Sequence, residues 1–209
     1  MVRIRPSPRK YNMSYIEKYK VVWLMPQRAC TRSSVSLLKH CGSFVNRGHD
    51  LTIPEGKLDY TLVFNIRNPL PRLVSIYWLW SLHNKDFYRD FEDWLYDHEI
   101  WEEDYQLHLQ IYLELLEKKP DYFVRTEFYH EDLMKIEPLK DFFISLGEEY
   151  DYNVIENQYV NEFKDKTDKV RLPWYSEYNQ KTADFVYEIC KPQFEMFGYN
   201  KNYWKDGTP

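Results

Sequence analysis

The chain has 209 residues, 44% hydrophobic and 29% charged, with a formal net charge of −5, enough for one domain with a core of sheet and helices. The acidic balance disfavours nucleic acid and anionic membranes as partners, and no apolar run approaches the roughly 18–20 residues of a membrane span. Cys30, Cys41 and Cys190 are widely spaced and the six His show no ligand-like spacing, so neither a disulfide framework nor a structural metal is expected, and the setting is a reducing one.

In chain order, MVRIRPSPRK carries four positive charges with no apolar stretch behind it. Residues 1–18 therefore read as a flexible tail rather than a secretory signal, which makes the expected location cytoplasmic. KVVWLM (20–25) predicts a buried parallel strand closed by Pro26. The polar run PQRACTRSS leads into a helix over Ser33–His40, stopped at Cys41-Gly42. YTLVFNI (60–66) is the second strand. Asn68 caps the helix after it, with Pro69 or Pro71 in a first turn where a missing N–H costs nothing. That helix runs to about Leu82 and buries Leu73, Tyr77 and Trp80 at helical spacing.

Residues 87–97 and 102–118 read as two more helices, the second with Leu109, Leu113 and Leu116 on its apolar face. YFVRT (122–126) is a third strand, and residues 137–147 form a helix ending in Gly. A polar loop follows over 150–175, then a last helix over 180–198 containing Pro192, and a C-terminal tail from 201. Alternating strands and helices predict an α/β fold: a single domain over 19–200, with a central, mainly parallel sheet flanked by helices. Ligands of such sheets bind beyond the carboxyl ends of the strands. The two strand-to-helix junctions, 26–34 and 67–75, are thus expected on one edge.

The first junction offers Arg28, Thr31, Arg32, Ser33 and Ser34 at a helix start, where amides and the helix dipole favour phosphate or sulfate. Ser and Thr are also ordinary caps, and no GxxxxGK[ST] loop is present. The second junction places Arg67 at a strand end and Ser75 on a helix face shared with Arg72. A plainer reading pairs Arg67 with a carboxylate and leaves Ser75 without a role. Two such junctions on one edge suit a ligand with two anionic groups, such as a nucleotide phosphorylated at its 3′ and 5′ ends.

VFNIRNPLPRLVSIY resembles the 3′-phosphate motif of the sulfotransferases that use 3′-phosphoadenosine 5′-phosphosulfate (PAPS). The resemblance implies that Arg67 and Ser75 hold the 3′-phosphate of the donor and of its product, adenosine 3′,5′-bisphosphate (PAP). PQRACTRSS is similar to the family's loop for the 5′-phosphosulfate, and Ala29-Cys30-Thr31 reproduces its ACT variant. Gln27 stands where that variant has Lys, so the stabilising cation falls to Arg28, with Ala29, Cys30, Thr31, Arg32, Ser33 and Ser34 around the 5′ group. FVRTEFYHEDLMKI (123–136) and the FGY at 197–199 are further points of likeness.

The resemblance implies a P-loop-NTPase-like sulfotransferase fold, in-line transfer of a sulfuryl group to an acceptor hydroxyl, and no metal. The acceptor is open: a small molecule, a saccharide or a tyrosine side chain. It also implies a base between the two motifs. His49, in a Gly-His pair similar to that of the glycan 2-O-sulfotransferases, suits the task by its ordinary pKa; Asp50 and Glu55 are the alternatives. Two other functions compete. A P-loop-type kinase lacks its Walker motif here, and a non-catalytic nucleotide-binding protein of this fold would explain Gln27.

Overall fold

The structure, a computed structural model, describes residues 14–26, 28–45, 56–83, 90–97, 119–147 and 173–207. These form one α/β domain around a five-stranded sheet. Its strands are β1 (Ser14–Ile16), β2 (Val21–Leu24), β3 (Phe44–Val45), β4 (Thr61–Ile66) and β5 (Tyr122–Arg125), in the order β3-β1-β2-β4-β5. β2, β4 and β5 are parallel, with Leu24 opposite Phe64 and Ile66 opposite Arg125. Their carboxyl ends therefore open on the same edge.

The sheet is mixed rather than mainly parallel, which corrects the sequence expectation. β1 runs antiparallel to both β2 and β3, and it lies within residues 1–18, the stretch assigned to a flexible tail. A tight turn makes this possible: Lys20 adopts the left-handed conformation (φ 49°) and its amide reaches the Glu17 carbonyl at 3.1 Å. The turn is tied to the approach to β4, because Lys57 Nζ and the Tyr60 hydroxyl both donate to the Glu17 carboxylate at 2.5 Å. A three-residue strand next to a basic, Pro-containing segment has too few alternating positions to be seen in sequence.

β2 and β4 are buried on both faces, as their near-continuous apolar sequences require. Because side chains alternate along a strand, Val22, Leu24, Leu62, Phe64 and Ile66 join one core, and Val21, Trp23, Val63 and Val124 join the other. The first core is covered by α2 (Pro69–His83), α3 (Phe91–Leu95) and α6 (Gln180–Phe197); the second by α1 (Thr31–Leu38), α4 (Tyr129–Leu133) and α5 (Lys140–Leu146). A short α7 (Tyr203–Asp206) follows within the segment expected to be a C-terminal tail.

α2 buries Leu70, Leu73, Val74, Tyr77 and Trp78, an i, i+3, i+4, i+7, i+8 stripe. Trp80 falls at the margin of that stripe and is half-buried, so Trp78 takes the place expected for it. α6 starts at an Asn179–Thr182 capping box, runs through Pro192 and stops at Gly198 (φ 66°). The helix expected over 102–118 lies outside the described residues. Among the described residues no helix is long and apolar enough to cross a membrane, and no group of three or more His, Cys, Asp or Glu is placed to hold a metal ion.

Candidate functional site: two strand-to-helix junctions

The first junction runs from Met25 into α1. Its backbone is unusual: Arg28 (φ 64°) and Cys30 (φ 57°) both sit in the left-handed region without being Gly. Each such residue costs on the order of 1 kcal/mol or more, and strain of this kind clusters where a loop must present its amides to a ligand. The helical ladder begins with the Ser34 amide, which donates to the Cys30 carbonyl at 2.9 Å. The amides of Thr31, Arg32 and Ser33 therefore lie ahead of the ladder, at the positive end of the helix dipole. Arg32 is exposed, Arg28, Cys30 and Thr31 are half-buried, and Ser33 is buried.

The loop is fastened from beneath by a residue the sequence reading passed over. Asn65, two residues after Val63, shares its α1-side face of β4 and is fully buried. Its amide nitrogen donates to the Ala29 carbonyl and to the Ser34 hydroxyl, each at 2.9 Å, while its oxygen accepts from the Trp23 indole at 2.8 Å. Ser34 also shares a 3.1 Å hydrogen bond with the Tyr129 hydroxyl. Ala29 and Ser34, both expected to touch a ligand, are 0% exposed and engaged in this brace. The Thr31 hydroxyl donates to the Pro26 carbonyl at 2.9 Å, which leaves its lone pairs and its main-chain amide for other contacts.

The second junction is built differently. Asn68 caps α2, its side-chain oxygen accepting from the Leu70 amide at 3.0 Å and its carbonyl from the Arg72 amide at 3.2 Å. The Asn68 amide donates to Glu127 Oε1 at 2.9 Å. Pro69 and Pro71 have no N–H to offer. The start of α2 is thus closed by a carboxylate of the protein itself, and an anion at this junction must be held by side chains.

The basic and hydroxyl side chains of this junction are Arg67, Arg72 and Ser75. Arg67 is half-buried, and its Nη1 donates to the Arg28 carbonyl across 3.4 Å, which brings the two junctions into contact. Among the described residues it forms no ion pair with a carboxylate, and its Nε is buried with no hydrogen-bond partner. The nearest charge relation the structure gives it is with Glu127, whose carboxyl it favours in the ionised form. Ser75 is 6% exposed and Arg72 1% exposed. Ser75 lies nearly in line with Asn68 on α2, about 10 Å along the axis.

Glu127, just beyond β5, completes the edge. Besides the Asn68 amide it accepts a long bond, 3.4 Å, from the Tyr199 hydroxyl. Burial raises its carboxyl above the ordinary value, against the opposing pull of Arg67 and these hydrogen bonds. Nearby, Arg125 Nε and Nη2 clasp the buried Asp132 carboxylate at 2.7 Å each, joined by Lys135 at 2.7 Å. This network holds the β5–α4 turn in place. The predicted bases His49, Asp50 and Glu55, and Gln27, lie outside the described residues.

Signals for the missed groups exist in the sequence. Asn65 is a polar residue inside an otherwise apolar strand, and such a group stays buried only when its hydrogen bonds are satisfied. Glu127 follows Arg125-Thr126 at a strand end on the same edge. Compared with family models, with curated proteins and with solved structures, the chain matches none, so the assignment of this site rests on its own residues and geometry.

Proposed function

We propose that this chain is a sulfotransferase that binds PAPS across its two junctions and passes the sulfuryl group to an acceptor hydroxyl. The observation that carries the reading is the contact of Arg67 with the Arg28 carbonyl. It brings a half-buried guanidinium against the loop that leads into a helix whose first amides precede the helical ladder. One ligand with two separated anionic groups answers both.

The donor supplies a sulfuryl group on a phosphate leaving group: the acceptor oxygen bonds to sulfur as the bridging S–O bond breaks, the electron pair staying with the 5′-phosphate. The protein's part is positioning and charge stabilisation. The α1 amides of Thr31–Ser33 and the guanidinium of Arg32 hold the 5′ group, and Arg28 offsets the charge that develops on it. Arg67 and Ser75 hold the 3′-phosphate, with Arg72 adding positive charge behind them. Asn65 keeps the loop in its strained pose, with Ala29 and Ser34 as braces rather than ligands. The acceptor's proton passes to a base, His49 with Asp50 and Glu55 as alternatives.

Calorimetry with PAP and with ATP, followed by transfer of labelled sulfate from PAPS to a panel of hydroxyl acceptors, tests the reading. PAP binding with transfer supports it. ATP binding without PAP binding would point to the kinase instead, and PAP binding without transfer to any acceptor would leave a nucleotide-binding protein.

A further inference from the structure

We propose that Glu127 is a positioning residue for Arg67, and that capture of an anion by Arg67 draws a proton from solvent onto the Glu127 carboxylate. The inference rests on the reading of Arg67 as an anion ligand.

Two consecutive residues at the exit of β5 grip the main chain on either side of Arg67. The Thr126 hydroxyl donates to the Ile66 carbonyl at 3.1 Å, and Glu127 Oε1 accepts from the Asn68 amide at 2.9 Å. Arg67 is thereby held at its backbone while, among the described residues, its side chain makes one long bond, to the Arg28 carbonyl. A guanidinium with a fixed base and few side-chain bonds suits a residue that must meet a ligand with little loss of conformational entropy.

Among the described residues, the groups acting on the Glu127 carboxylate come from three elements. They are Arg67 and the Asn68 amide from the β4–α2 junction, the Tyr199 hydroxyl from beyond α6, and the amide of Glu127 itself. Burial favours the neutral acid, and Arg67 is the cation that favours the ionised form. A phosphate bound to Arg67 offsets that cation's field and adds negative charge nearby, so both changes push Glu127 towards protonation. The neutral acid still fits its surroundings: one oxygen goes on accepting from the Asn68 amide, and the Tyr199 hydroxyl can turn from donor to acceptor.

The test is calorimetry of PAP binding in buffers of different ionisation enthalpy at one pH, with the wild-type chain and Glu127→Gln. Gln keeps an acceptor for the Asn68 amide but takes up no proton, so the wild type should take up a measurably larger fraction of a proton on binding. In parallel, the ¹³C resonance of the wild-type Glu127 carboxyl should titrate at higher pH with saturating PAP than without it, a measurement that needs no variant. PAP binding with equal proton counts and an unmoved Glu127 titration would overturn this inference alone. No PAP binding by the wild-type chain would overturn the anion-site reading and this inference with it.

Discussion

Asn65 donates to the Ser34 hydroxyl at 2.9 Å, and this bond ties the fully buried Ser34 of α1 to the middle of the sheet. The same amide holds the Ala29 carbonyl and the Trp23 indole, so one buried side chain joins β2, β4 and the loop between β2 and α1. Asn65→Ala would take this partner from the Trp23 indole and the Ala29 carbonyl, while Ser34 keeps Tyr129. It should cost about 2–4 kcal/mol of stability, from lost hydrogen bonds and unsatisfied partners together. Denaturant titration measures this, and an unchanged midpoint would mean that the loop is held by other contacts.

Arg67→Ala should leave the fold intact, since among the described residues its side chain makes a single long hydrogen bond. PAP affinity should fall by about 1.5–3 kcal/mol, roughly 10- to 150-fold, the range of a hydrogen bond to a charged group. Ser75→Ala should cost less, about 0.5–1.5 kcal/mol. Calorimetry on both variants decides; wild-type affinity in Arg67→Ala would remove the second junction from the site.

The three cysteines offer a chemical map of the first junction. Cys30 is half-buried at the start of α1, whereas Cys190 is fully buried and burial pushes the Cys41 thiol up to about 12. The thiolate is the reactive form. In the native protein an alkylating reagent should therefore modify Cys30 well before the other two, and saturating PAP should slow that modification. Mass spectrometry of timed samples reads both effects. Labelling of Cys30 at the same rate with and without PAP would place the nucleotide elsewhere.

Two acids should shape the pH dependence of stability with opposite signs. Burial works to raise the Asp132 carboxyl, but hydrogen bonds from Arg125 and Lys135 outweigh it and hold the group below its ordinary value of 3.8. The folded state binds that proton less tightly than the unfolded chain, so this stabilisation is present above about pH 4 and is lost as pH falls through the lowered value. Glu127 is raised above 4.5, so its contribution is full below that pH and is lost as pH climbs through its raised value. Asp132→Asn should thus flatten the acid limb of a melting-temperature profile, and Glu127→Gln should flatten the limb above pH 4.5. Parallel profiles for wild type and both variants would contradict the assignment.

Much of the fold was legible in the sequence because its strands and helices obey strong local rules. β2 and β4 are apolar runs ended by Pro26 and by Arg67-Asn68, α2 begins at an Asn-Pro pair, and α6 ends at Gly198. β1 was not legible, since three residues carry almost no periodic signal and its pairing depends on the Lys20 turn and on Lys57 and Tyr60 from elsewhere in the chain. Within the candidate site, Arg67, Ser75 and the loop over 28–34 could be named from residue type and position. The bracing of Ser34 and Ala29 could not, because it depends on Asn65 and Tyr129, 31 and 95 residues away from Ser34.

The amino-acid order alone determined where strands hand over to helices and which basic and hydroxyl side chains stand at those points, because capping, proline geometry and hydrophobic period act over a few residues. Only the tertiary structure decided how those points differ. At α1 the amides stay ahead of the helical ladder; at α2 the Glu127 carboxylate, from 59 residues along the chain, occupies the helix start. Which charges meet across a sheet edge is set by strand order and register, and these are properties of the packed sheet rather than of any one segment.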